Sequence, residues 1–109
     1  MDISDWRKKI DEVDRELVAL LNRRSEFVLE IAKLKRQLGM PIYEPQREEE
    51  IFGNIATANG GPLELAALRR VFERIIDESR SIQRVPMHAE RVEETGLPVD
   101  TELNQPDKD

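Results

Sequence analysis

The side chains best suited to chemistry in this 109-residue chain are basic groups placed where a helical pattern asks for apolar ones. Positions 3, 6, 10, 13, 17, 20, 24, 27, 31, 34 and 38 step alternately by three and four, the spacing of a heptad seam. Ten of them are apolar (Ile3, Trp6, Ile10, Val13, Leu17, Leu20, Phe27, Ile31, Leu34, Leu38), and the eleventh is Arg24. A guanidinium cannot be deprotonated and is costly to bury without a counter-charge. Lys35 follows three turns later on nearly the same side, about 16 Å along the axis. Cations at these two positions would grip a small dianion from both ends. Arg7 projects beside the same seam but lies about 25 Å from Arg24, too far to serve that ligand within one chain.

A second polar set interrupts a later stripe. Leu65, Leu68, Phe72, Ile75, Ser79 and Ile82 again step by three and four, with Ser79 in an apolar slot. Gln83 lies one turn beyond it on the same face. Arg47 and Glu48 follow Glu44-Pro45-Gln46, and Glu48-Glu49-Glu50 forms an acidic first turn that suits a helix N-terminus. The three read chiefly as a solvated turn, which leaves room for one of them to face inward as a hydrogen-bond acceptor. Structural duties explain the same residue types: Arg24 as a register-setting residue or intrahelical ion pair, and Ser79 with Gln83 as a helix–helix hydrogen bond. The residues by themselves leave both readings open.

Positioning these groups requires long helices. Gly39-Met40-Pro41 and Asn59-Gly60-Gly61-Pro62 are stop and start signals. They predict a first helix from about Ile3 to Leu38, a second from near Pro45 to about Ala58, and a third from after Pro62 to about Arg84. No period-2 alternation occurs, so the expected fold class is all-α without a sheet. The first helix would be a rod of roughly 54 Å, which the two shorter helices cannot cover in one compact monomer. An uncovered apolar seam aggregates or finds a partner. The economical solution is an intertwined homodimer with the long helices antiparallel about a two-fold axis. That arrangement brings the partner's Arg7 toward the middle and far end of the first helix, giving two sites, each completed by the other subunit.

Composition excludes several classes. With no cysteine, the chain has no disulfide framework and no thiol nucleophile. Of 23 acidic and 17 basic side chains, only seven and two lie in residues 86–109, so the excess negative charge sits in the tail. The body is balanced, which argues against a nucleic-acid partner. No membrane span and no signal-peptide run is present, so the expectation is a soluble cytoplasmic protein. Residues 86–109 hold three of the six prolines and few large apolar groups, and are expected to be a disordered acidic tail or a linker. His88, the single histidine, reads as a solvated tail residue. The domain itself is expected over 1–85.

The residue pattern resembles the all-helical, AroQ-class chorismate mutases over about residues 3–85. The likeness rests on Trp6-Arg7-Lys8-Lys9-Ile10-Asp11 with Asp14, then Leu20-Leu21-Asn22-Arg23-Arg24, then Ile31-Ala32-Lys33-Leu34-Lys35. It continues through Pro41-Ile42-Tyr43-Glu44-Pro45-Gln46-Arg47-Glu48 and Phe72-Glu73-Arg74-Ile75-Ile76-Asp77-Glu78-Ser79 to Gln83. The order and spacing of the pieces carry it. The resemblance implies an interlocked homodimer that converts chorismate to prephenate by a Claisen rearrangement on the route to phenylalanine and tyrosine. That reaction needs no cofactor and no metal. Catalysis comes from holding the dicarboxylate in its compact conformer and stabilising charge as the ether bond breaks.

By the same resemblance, Arg24 and the partner's Arg7 hold the two carboxylates, for which the planar fork of arginine is suited. Lys35 and Gln83 donate to the ether oxygen. Glu48 accepts from the ring hydroxyl, assisted by the backbone at Glu44, where the family often has Asp. Ser79 hydrogen-bonds a carboxylate, and Arg47 supplies a supporting positive charge. Two alternatives stand beside this one. The first is a non-catalytic module: a mutase-like sensor that binds the diacid but turns it over slowly, or a pure dimerisation domain, in which replacing Arg24 by Leu would stabilise the chain. The second is an isochorismate-pyruvate lyase, although Ser79 and the run through Arg47-Glu48 look more mutase-like.

Overall fold

A computed structural model of the chain describes residues 1–84, and within them it contains three helices and no strand. They are α1 (Ile3–Leu38), α2 (Pro45–Ala58) and α3 (Leu65–Arg84). The expected tail, residues 86–109 with His88, lies outside the described residues. The chain divides into two compact units, Met1–Pro41 and the part from Ile42 onward.

The first unit is α1 and its ends. Asp2 caps it reciprocally: Asp5 N–H donates to Asp2 Oδ1 at 2.9 Å, and Asp2 N–H donates to Asp5 Oδ2 at 3.0 Å. This capping box satisfies two donors that an open helix start leaves without partners. At the other end Gly39 enters the left-handed region at φ 69°, and the Met40 N–H donates to the Lys35 carbonyl at 2.9 Å. The chain leaves the helix in the manner of a Schellman motif, which glycine permits because it lacks a Cβ. Lys35 and Arg36 stand in the last turn, where positive charge opposes the helix dipole.

Burial along α1 inverts the usual order. The ten apolar residues of the seam are each between 49% and 70% exposed. Arg24, the one cation in that seam, is half-buried. Ala32 and Lys35 are the buried residues of the helix, with Ser25, Val28 and Leu29 half-buried on the same stripe. Within a single chain, then, α1 shelters charge and leaves grease in water, the reverse of what transfer energies favour.

The second unit is an α2–α3 pair. Pro45 opens α2 at its first turn, where a missing N–H costs nothing. Ile55 and Ile76 are the buried apolar residues of this pair, and the Arg69 guanidinium lies 4.0 Å from the centre of the Phe52 ring. The link between the helices explains why α3 begins at Leu65 rather than directly after Pro62. Gly61 N–H donates to Asn59 Oδ1 at 3.0 Å, and Asn59 Nδ2 donates to the Leu63 carbonyl at 3.0 Å. Asn59 thereby occupies a carbonyl that an earlier helix start would use, and the Leu68 N–H donates to Glu64 O instead, at 3.0 Å.

These termini can be checked directly. A Cβ at residue 39 would meet nothing within 4 Å, so Gly39→Ala incurs backbone strain and no clash. The expected loss is about 1–2 kcal/mol in urea unfolding of the purified protein. A loss near zero would show that the left-handed stop is dispensable.

Candidate active site

The residues singled out in the sequence fall into two groups, one in each unit. In the first, Arg7 is exposed on the N-terminal half of α1, Arg24 is half-buried at mid-helix, and Lys35 is buried at 6% exposure in the last turns. Helical spacing sets Arg24 and Lys35 about 16 Å apart along the axis. A lysine is almost never this buried as a solvated surface group, because desolvating an ammonium is expensive.

In the second unit, Glu44 is half-buried just before α2, and Glu48 is half-buried in its first turn. Arg47 is exposed, and its Nη1 pairs with Glu50 Oε1 at 3.1 Å. On α3 the Ser79 hydroxyl donates to the Ile75 carbonyl at 2.9 Å, and Gln83 Nε2 donates to the Ser79 carbonyl at 3.1 Å. Both side chains are half-buried and share a face one turn apart. These two hydrogen bonds run within α3 itself.

One cation bonded to Glu48 escapes sequence reasoning. Arg80 Nη1 donates to Glu48 Oε2, its Nη2 donates to Asp77 Oδ1, and its guanidinium carbon lies 5.6 Å from the centre of the Tyr43 ring. The pair joins the first turn of α2 to the last turns of α3, and so brings Glu48 to the end of α3 that carries Ser79 and Gln83. Hydrogen bonding to Glu48 raises the Arg80 pKa above its ordinary value, outweighing the desolvation that lowers it, with the nearby charges of Glu48 and Asp77 adding to the rise. Arg80 is therefore cationic, as an arginine side chain ordinarily is. The contact spans 32 positions in sequence. No local spacing rule reports it; the only nearby signal is Asp77 one turn earlier.

Three further ion pairs are of the ordinary helical kind. Lys33–Glu30, Arg69–Glu73 and Arg74–Glu78 are all more than half exposed. Such pairs contribute about 0–1 kcal/mol each. Among the described residues no cluster of three or more His, Cys, Asp or Glu side chains has the arrangement of a metal site. No helix among them is long and apolar enough to cross a membrane.

Three helices in this order, with cationic, carboxylate and amide side chains sheltered on them, define an all-α protein of the chorismate mutase type. A family model described as chorismate mutase type II matches residues 6–84. A form II chorismate mutase structure from Thermus thermophilus superposes with a TM-score of 0.75 at 36% identity, covering 77% of this chain and 96% of that one. The Helicobacter pylori chorismate mutase, solved in complex with prephenate, gives a TM-score of 0.70 at 33% identity, covering 75% of this chain and 89% of that one. Among curated proteins, the bifunctional chorismate mutase/prephenate dehydratase of Aquifex aeolicus is 33% identical over 87 residues, 76% of this chain. The chorismate mutase of Methanocaldococcus jannaschii is 40% identical over 53 residues, 49% of this chain. The matched segments span 24% of the Aquifex protein and 54% of the Methanocaldococcus one. This chain belongs to the type II chorismate mutase family.

The α2–α3 pair offers a test of which contacts hold it. Truncating Ile76, which is 5% exposed, removes buried methyl groups, and Ile76→Ala should cost about 2–5 kcal/mol. Arg47→Ala breaks only the exposed pair with Glu50 and should change stability by less than about 0.5 kcal/mol. Urea denaturation of both variants decides the point; a larger effect at Arg47 would place the energetic weight on surface charge.

Proposed function

We propose that this chain isomerises chorismate to prephenate, working as a homodimer with two shared sites. The observation that carries the reading is the likeness over three quarters of the chain to the Helicobacter pylori enzyme solved with prephenate. The reaction is an intramolecular rearrangement in which one C–O bond breaks as one C–C bond forms. It requires confinement of a flexible dianion and stabilisation of the charge that develops on the ether oxygen.

The chain has groups for each task. Arg24 and the partner's Arg7 hold the two carboxylates, each offering a planar fork of donors. Ser79 adds a hydrogen bond to one of them. Lys35 and Gln83 donate to the ether oxygen, and their bonds strengthen as that oxygen gains charge. The burial of Lys35 matters here, because a charge in a dry setting acts more strongly than one in water. Glu48 accepts from the ring hydroxyl, helped by the backbone of Glu44, and Arg47 contributes positive charge from the same turn.

Dimerisation is supported by α1. Its seam of ten exposed apolar side chains needs a cover, and a second copy supplies one of matching length and periodicity. Charge favours the antiparallel arrangement. Residues 3–20 carry five carboxylates and four cations, whereas residues 21–38 carry two and five. Opposed halves thus attract.

Two measurements test the proposal. Lys35→Ala should lose about 3–4 kcal/mol of transition-state stabilisation, a 10²–10³-fold fall in kcat/KM for chorismate followed by ultraviolet absorbance. Near-normal turnover by a folded Lys35→Ala protein would refute its role. Arg7→Ala and Arg24→Ala should each inactivate the homodimer. Unfolding and refolding an equal mixture should restore roughly a quarter of the parent's activity, since half the dimers are mixed and each has one intact site. No recovery would sink the shared-site arrangement.

A further inference from the structure

The Arg80 cluster has a role that the groups assigned to the substrate leave unfilled. Glu48 belongs to a long, freely rotating side chain, yet its proposed task requires one oxygen to sit in one place. The surroundings restrict it. Arg80 and Glu48 are only 25% and 22% exposed in their side chains, and Arg80 Nη1 donates to one carboxylate oxygen, Oε2. Arg80 is itself held from three sides, by Glu48, by Asp77 one turn earlier on α3, and by the Tyr43 ring. One prong of the guanidinium therefore ties α2 to α3 through the carboxylate in question, while the other is held within α3 by Asp77. A guanidinium can do this where an ammonium cannot, because its donors have fixed directions.

We propose that Arg80 is a positioning residue for the reaction: it fixes Glu48 through Oε2 and leaves Oε1 to accept the hydroxyl of the cyclic substrate. The role rests on the mutase reading given above. Arg80 acts through Glu48 and needs no contact with substrate. Asp77 completes the device by orienting the guanidinium from its own helix.

A double-mutant cycle in the full chain tests this, with chorismate as the probe. Arg80→Met should lower kcat/KM about 10- to 100-fold, chiefly through kcat, as a misplaced acceptor does. Arg80→Lys should recover part of that loss, because charge returns without the second prong. In a Glu48→Gln background, the further change Arg80→Met should cost less than about twofold, since residues acting as one unit are not additive. Equal losses in both backgrounds, or a kcat within about twofold of the parent for Arg80→Met, would overturn the proposal. Should Arg80→Met fail to fold, the Arg80→Lys and Glu48→Gln pair gives the same cycle. A folded parent chain that leaves chorismate unchanged defeats the mutase reading and Arg80's role with it. An active parent with an additive cycle defeats the Arg80 assignment alone.

Discussion

The exposed apolar seam of α1 is the constraint on which this fold turns. Ten large apolar side chains lie along it, none less than 49% exposed, while the residues the helix hides are an alanine and a lysine, with an arginine half-covered some turns earlier. Desolvating cations and hydrating hydrocarbon both raise the free energy of the isolated chain. In the proposed dimer the covering comes from a second rod, and the sheltered cations receive the anionic substrate. On that reading, association and ligand binding share one element.

The α2–α3 pair answers a different need. It has a small apolar contact, with Ile55 and Ile76 as its buried members, and much of its specificity comes from directed polar contacts. The Arg69–Phe52 stack and the Glu48–Arg80–Asp77 cluster set which residues of the two helices meet. Directional contacts of this sort contribute modestly to stability but restrict rotation of one helix against the other. That restriction matters where Ser79 and Gln83 must present a common face.

Much of this was legible in the letters. The limits of α1 and α2 follow from Gly39, Pro45 and the apolar periodicity, because stops and starts are local chemistry. Arg24 and Lys35 stood out because a seam with one cation in it is a local anomaly. The start of α3 was harder, since Asn59 bonds across the turn on both its amide atoms and delays the helix to Leu65. Arg80 was not legible. Its sequence neighbours explain one of its partners, Asp77, but Glu48 is reached only by folding. Conversely, Arg47 adjoins Glu48 in sequence yet turns to Glu50, as helical spacing of opposite charges favours.

The Schellman stop at Gly39 draws the Met40 amide onto the carbonyl of Lys35, the same residue that carries the buried ammonium. Gain or loss of one residue between Arg24 and this stop would swing one group about 100° around the axis and shift it about 1.5 Å relative to the other. The interval between them is therefore quantised, tolerant of whole turns at best. The Asn59–Glu64 link carries no such phase requirement. Length variation among natural homologues should accumulate in that link and be purged from the middle of the long helix.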